Sequence, residues 1–403
     1  MSPMNWMNAT SASETALQEI DVYPRLPVPV ASAKGCELVL ADGRRVLDLY
    51  GGHCVNTLGA GDAGLERVLV RQWRQLSFAT NLLDHAARHE FFEAFERTLP
   101  PRHAGERWRV FCSNSGAEAN ENALKLALDS TQRSAVLAFS GAFHGRTAAA
   151  AAVTDGKQAF PRTPFEVRRV PFGDTEAALA AIDASVAAVI LEPIQSLAGV
   201  VDPPAGFLEG LRAACERTGA VLVFDEVQTG NGRLGSFWAA QHFGVVPDVF
   251  TTAKGAAGGL PIGLTVARER CTRHAKHGTL GSTFGGGPLV LAAAAEVALR
   301  VAAPGFLDNV RAASAALRAA ALRCKAKGGP VVSVRGAGLL LGLVLDEGFS
   351  AAAARDALLA RGVLVGTSND ARVLRLSPPL TFAPGDSERL ALALEGLSVE
   401  VLR

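Results

Sequence analysis

Between about residues 106 and 268 the chain alternates short apolar runs with longer segments of helical periodicity. The runs Arg109–Cys112, Ala135–Phe139, Val186–Leu191, Ala220–Phe224 and Asp248–Thr252 are β-rich and almost continuously hydrophobic. Strands that do not alternate apolar with polar residues are buried on both faces. Helical patterns separate them, among them Ala117–Leu128 and Phe207–Thr218. This order predicts an α/β fold with a mainly parallel sheet covered by helices on both sides.

The flanks read differently. Gly35–Tyr50 (GCELVLADGRRVLDLY) predicts a hairpin, two strands about the turn Ala41-Asp42-Gly43. Beyond Pro304 the pattern gives a helix at Val310–Lys325 and a glycine-broken strand pair within Val331–Leu345. A helix at Ala352–Arg361 and a strand at Val373–Leu376 follow. The expected organisation is a lead at 1–22, an N-terminal segment of a small domain at 23–55, a large domain at 56–300 and the rest of the small α/β domain at 301–403. Residues 1–22 lack a basic stretch followed by an apolar one, so they read as a disordered lead and not a secretory signal.

Composition narrows the classes. The 403 residues are 49% hydrophobic with mean hydropathy +0.20, partly through alanine runs such as Thr147–Val153. No uninterrupted apolar stretch reaches the roughly 18 residues of a membrane span. A net charge of +1 without a basic run gives no reason to expect nucleic acid or a membrane surface as partner. Six scattered cysteines without CxxC pairing read as thiols in a reducing, cytoplasmic setting. Only seven lysines occur, so candidates for a reactive amine are few.

In an open parallel sheet, ligands gather at the carboxyl ends of the strands. Those ends bring Ser113–Ala117, Gly141–Thr147, Glu192–Gln195, Asp225–Gln228 and Lys254 to one edge. Ser115-Gly116-Ala117 opens a helix, either as an ordinary helix start or as a phosphate site of backbone amides. Asp225 is either a strand-end turn cap or a carboxylate placed to keep a pyridine nitrogen protonated. Lys254 is either a surface lysine or a desolvated amine with the lowered pKa that imine formation needs. Phe143 and Val227 are core residues or the two walls of a ring slot. Together the set fits a phosphorylated aldehyde cofactor. Two weaker patterns compete. Gly230–Gly235 matches GxGxxG but starts five residues after Asp225 and opens no helix, which argues against a dinucleotide. His85 and His89 share helical spacing without a further ligand, which suggests a solvated helix face.

The segments SNSGAEANENALKLA, GAFHGRT, LEPIQ, VFDEVQTGNGRLG, AKG and GSTFGGGPL, in this order and spacing, resemble class III aminotransferases, fold type I pyridoxal-phosphate enzymes, and within them the acetylornithine/ornithine branch. The resemblance runs from about Tyr23 to RLSPPL. It implies a large domain with a seven-stranded type of sheet and pyridoxal 5'-phosphate as cofactor. Lys254 would carry the aldimine and shuttle the proton, and Asp225 would pair with the ring nitrogen. Gln228 would meet the ring hydroxyl, and Ser115, Gly116 and Ala117 would hold the phosphate. Phe143, Val227 and Glu192 would complete the cofactor site, and Thr283 would reach the partner subunit's phosphate in a homodimer. Arg146 and Arg375 would bind substrate carboxylates, with His53 at the pocket. No metal is implied.

The resemblance implies transfer of nitrogen from an ω-amino donor, acetylornithine-like or ornithine/lysine-like, to 2-oxoglutarate. A racemase or aminomutase of the same fold is the alternative, and a non-catalytic binding protein a remote one. One departure bears on this. Where the branch usually reads EPIQGE, with a glutamate able to mask the C-terminal arginine, this chain has Ser196-Leu197. Leu197 cannot pair with Arg375, so Arg375 is expected to stay available in both half-reactions.

Overall fold

The computed structural model describes residues 20–395 and 397, except 21, 24, 27, 102–105, 157–164, 327 and 328. Apart from Ile20 and Val22, the lead expected at 1–22 lies outside the described residues. Seven strands form the central sheet, in the spatial order Trp108–Ser113, Gly263–Arg268, Val249–Ala253, Val221–Asp225, Val186–Leu191, Ala135–Phe139, Glu166–Val170. Gly263–Arg268 runs antiparallel to both neighbours, and the other pairings are parallel. The α/β class with a mainly parallel sheet is therefore as expected.

Two of the seven strands had no signature of their own. Glu166–Val170 (EVRRV) is an edge strand whose Arg168 and Arg169 lie among polar partners, so its apolar content is low. Between Val249–Ala253 and Gly263–Arg268 lie only the 3-10 turn Lys254–Ala257 and a glycine-rich loop, with no α-helix, so no α/β alternation marks the second strand. The central strands were legible because every residue of Val186–Leu191, Val221–Asp225 and Val249–Ala253 is buried. Apolar side chains on both faces of these strands are removed from water, at about 25 cal/mol per Å².

The terminal segments pack together. Glu37–Leu40 and Arg45–Asp48 form the expected hairpin, joined by Val30–Lys34 on one side. On the other, Val363–Leu364 pairs in parallel with Leu47 and Asp48, tying the N-terminal segment to the C-terminal one. A third sheet contains Val331–Ala337, Leu340–Leu345, Val373–Leu376 and Gly366–Thr367. In it Arg375 sits opposite Gly342 and Gly366. The helix expected from Val310 begins earlier, at Phe306, directly after Gly305 at φ +80°. Among the described residues no single helix is long and apolar enough to cross a membrane.

Candidate active site

Strand ends and loops enclose a cavity of about 550 Å³ lined by Ser115, Gly116, Ala117, Phe143, Glu192, Asp225, Val227, Gln228 and Lys254, among others. At its floor lies Asp225, the last residue of its strand and 2% exposed. Asp225 Oδ2 accepts from Asn120 Nδ2 and from His144 Nδ1, both at 2.8 Å, and Oδ1 accepts from the Val227 amide at 3.0 Å. Asn120 is itself fixed. Its other amide hydrogen goes to the His144 carbonyl at 2.7 Å, and its oxygen accepts from Thr251 Oγ1 at 2.7 Å. With both amide hydrogens and the oxygen of Asn120 engaged, the carboxylate is held in one orientation.

The helix Gly116–Thr131 starts beside this floor, capped by Ser115, whose hydroxyl accepts from the Glu118 amide at 3.2 Å. Among the described residues nothing accepts from the amides of Gly116 and Ala117. Free amides at the positive end of a sixteen-residue helix attract an anion. Glycine is required at 116, because a Cβ there would sit 2.9 Å from Val227 Cγ2. Val227 in turn lines the cavity, as Phe143 does.

Lys254 leaves its strand in the left-handed region, at φ +43°. A non-glycine residue held there costs about 1 kcal/mol, a strain that tends to persist at functional sites. Burial pushes the Lys254 amine below its ordinary range; Cys54, Asp225 and Glu192 oppose that shift, and Arg375 adds to it. Glu192 is buried and accepts from the Phe143 amide at 2.9 Å and the Ser196 amide at 3.3 Å. Burial raises its pKa to about 7, with His144 pulling it down and Asp225 pushing it up. Gln228 Oε1 accepts from Ser196 Oγ at 3.1 Å.

Arg375 is 3% exposed and is not among the cavity's lining residues. Its Nε donates to the Thr367 carbonyl at 2.7 Å, one terminal nitrogen to Ser196 Oγ at 3.0 Å and the other to Tyr50 Oη at 2.6 Å. The guanidinium also stands 5.4 Å from the Tyr50 ring centre. Tyr50 Oη is 2.7 Å from His53 Nδ1. His53 belongs to a turn in which four successive residues, Gly51, Gly52, His53 and Cys54, have φ of 55°, 59°, 62° and 67°. Glycine tolerates this left-handed coil; His53 and Cys54 oppose it by about 1–2 kcal/mol each. His53 is exposed at the rim and not among the cavity's lining residues, and its partial burial, helped by Arg375 and Lys254, pushes its pKa down to about 4.

Not every expected residue converges. Arg146 does line the cavity, solvent-exposed and 5.2 Å from the Phe143 ring centre. Thr283 is exposed and does not line the cavity of its own chain. The expectation of a solvated face for His85 is corrected: it is 9% exposed and is the N-cap of Ala86–Glu96, its Nδ1 accepting from the Arg88 amide at 3.2 Å. His89 pairs with Asp84 at 2.7 Å. In Gly230–Gly235, Gly230 packs on Trp238 and Gly232 on Val301, so the run serves close packing. Four site residues carried no individual signal in the sequence: Asn120, His144, Tyr50 and Ser196. The helix periodicity of Asn120 and the position of His144 beside Phe143 hold the only hints, a polar residue on a buried face and an imidazole in a loop at the strand ends.

The residues present fit pyridoxal phosphate. The two unclaimed amides suit a phosphate, the Phe143 ring and the Val227 side chain on the same cavity suit a flat ring, and the fixed Asp225 carboxylate suits a protonated ring nitrogen. His144 Nε2 is moreover buried with no partner among the described residues, a polar atom left over at the site.

A family model described as aminotransferase class III matches residues 21–398. The acetylornithine aminotransferase of Streptomyces coelicolor is 43% identical over 382 residues, covering 93% of this chain and 91% of its own. The solved N-acetylornithine aminotransferase of Stenotrophomonas maltophilia has TM-score 0.78 at 33% identity, over 92% of this chain and 96% of that one. An ornithine aminotransferase from Toxoplasma gondii, described with partial occupancy of PLP at its active site, has TM-score 0.85 at 27% identity, over 94% and 92%.

Proposed function

The chain belongs to the class III aminotransferases, and we propose that Lys254 and Asp225 are the catalytic pair of its pyridoxal-phosphate-dependent transamination. The amino donor is an ω-amino acid of the acetylornithine or ornithine type, and the acceptor is 2-oxoglutarate. Relatives named acetylornithine aminotransferase at 41–43% identity support the donor class and do not favour the isomerase alternative. The observation that carries the residue roles is the convergence of Lys254, Asp225 and the open amides of Gly116 and Ala117 on one cavity.

When bound, the cofactor supplies an aldehyde for the amine and a ring that accepts the electrons released as the substrate C–H bond breaks. The chain's own residues do the rest. Burial keeps Lys254 Nζ uncharged at lower pH than an ordinary lysine, so the amine can act as nucleophile and then take and return a proton. Asp225, held by Asn120 and His144, keeps a proton on the ring nitrogen. Gly116 and Ala117 would anchor the phosphate, Phe143 and Val227 would pack against the ring, and Gln228 would meet its hydroxyl. Arg146 and Arg375 take substrate carboxylates, for which planar guanidinium groups offer paired donors. Thr283, outside its own cavity, serves the partner's phosphate in a cytoplasmic homodimer.

The test is a donor screen. The coloured holoenzyme is mixed separately with N-acetylornithine, ornithine, lysine and glutamate, and loss of the cofactor's visible absorbance is followed, with glutamate formation from 2-oxoglutarate as second readout. Reaction with N-acetylornithine is expected. Absence of change with every donor overturns the substrate reading, and a protein that stays colourless with excess cofactor overturns the residue roles.

A further inference from the structure

Arg375 is a buried cation surrounded by neutral groups. Its three acceptors are the Thr367 carbonyl, Ser196 Oγ and Tyr50 Oη, and among the described residues no carboxylate lies within ion-pair distance. Its charge is felt nonetheless, since it helps depress both Lys254 and His53. A buried guanidinium without a counter-ion gains strongly from any carboxylate that reaches it. Leu197 offers none, and its carbonyl is pinned by the Asn369 amide at 2.8 Å.

The group standing over the guanidinium is Tyr50. Its backbone is fixed, with its amide on Asp48 Oδ1 at 2.8 Å and its carbonyl accepting from Ser377 Oγ at 2.7 Å. Its side chain occupies the space that a Cβ at residue 366 would take, so Gly366 makes room for the ring. Tyr50 Oη accepts from Arg375 and also lies 2.7 Å from His53 Nδ1, so the phenol is held between the guanidinium and the imidazole. The left-handed turn Gly51–Cys54 holds the imidazole in that place.

We propose that Tyr50 is a specificity-determining residue: a neutral, displaceable cap on Arg375, backed by His53, which an incoming substrate carboxylate pushes aside. The cap keeps Arg375 hydrogen-bonded while a substrate without a carboxylate at that subsite is bound. A phenol is a weaker partner for guanidinium than a carboxylate is. The site therefore discriminates less against donors that carry a carboxylate there than it would under an anionic cap. This inference rests on the reading of Arg375 as a carboxylate-binding group.

The experiment measures binding of glutarate, an unreactive dicarboxylate, to the holoenzyme by calorimetry, together with the steady-state kinetics of the oxo-acid half-reaction. With the hydroxyl gone, Tyr50→Phe is expected to tighten glutarate and to lower the Michaelis constant for the oxo acid, each by about three- to tenfold, with kcat less affected. Leu197→Glu, which supplies an anionic cap, is expected to weaken glutarate by about tenfold or more. Weaker glutarate binding by Tyr50→Phe would make the phenol a ligand of the carboxylate and overturn the cap, and so would unchanged binding. Arg375→Ala separates the two claims: if it binds glutarate as the parent does, the reading of Arg375 fails and the cap with it. Each variant is first compared with the parent by circular dichroism and melting.

Discussion

His144 Nδ1 lies 2.8 Å from Asp225 Oδ2, the same oxygen that takes a hydrogen from Asn120 Nδ2. Two donors from different elements thus fix one carboxylate, and the aspartate acts through a geometry it does not set alone. Asp225→Asn is expected to lower kcat/KM by about 100-fold or more, since a charge-assisted contact is lost outright. His144→Ala leaves the carboxylate but frees it to turn, and a loss of about tenfold is expected. Steady-state rates at saturating cofactor check the order, and equal losses in the two variants would contradict it.

Lys254 is pushed below the ordinary lysine value of 10.5 chiefly by burial. A lowered pKa leaves the amine uncharged, and so nucleophilic, down to a lower pH. The rate at which apo-protein takes up pyridoxal phosphate is expected to rise with pH and to level off below the ordinary lysine range. Stopped-flow absorbance across pH 6–11, about the span a lysine titration needs, gives the midpoint. A midpoint at the ordinary value would count against a buried amine.

Glu226 follows Asp225 and is fully buried, accepting from the amides of Ala239 at 2.5 Å and Ala240 at 3.1 Å. Burial outweighs those amides and raises its pKa from 4.5 to about 8. The folded state therefore holds this proton more tightly than the unfolded chain does. Its stabilising contribution is complete below pH 4.5 and is lost as pH rises through about 8. Glu226→Gln cannot ionise, so its melting temperature relative to the parent is expected to climb between those limits. Parallel melting curves at all pH values would refute the buried, protonated carboxyl.

Gly116→Ala places a methyl group 2.9 Å from Val227 Cγ2, at the junction of the phosphate amides and the ring wall. Pyridoxal phosphate affinity is expected to fall about tenfold, while overpacking costs the apo-protein about 1 kcal/mol. Fluorescence titration of apo-protein measures the first and denaturant unfolding the second. Unchanged affinity would move the phosphate elsewhere.

Thr283 is exposed and does not line its own chain's cavity, and the role proposed for it requires a partner subunit. Mixing Lys254→Ala with Thr283→Ala subunits and allowing exchange should create hybrid dimers in which one site is intact, about a quarter of all sites in a random mixture. Activity of the mixture above the mean of the two variants supports a shared site; activity equal to that mean argues for self-contained ones.

Strand ends were the informative part of the sequence. Asp225, Glu192 and Lys254 could be assigned to one edge because buried parallel strands declare themselves by continuous apolar runs, and their carboxyl ends must then lie together. The edge strand Glu166–Val170 and the antiparallel Gly263–Arg268 lacked that signature. His144 and Asn120 were not legible, since no sequence spacing tells which polar side chain on a helix or loop will meet a given carboxylate.

The local pattern alone determined the α/β class, the central strands and the residues that end them, because burial on two faces leaves a one-dimensional record. Only the tertiary structure decided the surroundings of Arg375. Tyr50 and Ser196 come from segments far from Arg375 in the chain, Gly366 and Thr367 from the strand paired beside it, and each is ordinary where it stands. Their meeting depends on the strand pairing of Gly366 with Arg375 and on the left-handed turn after Tyr50, three-dimensional facts with no periodicity to announce them.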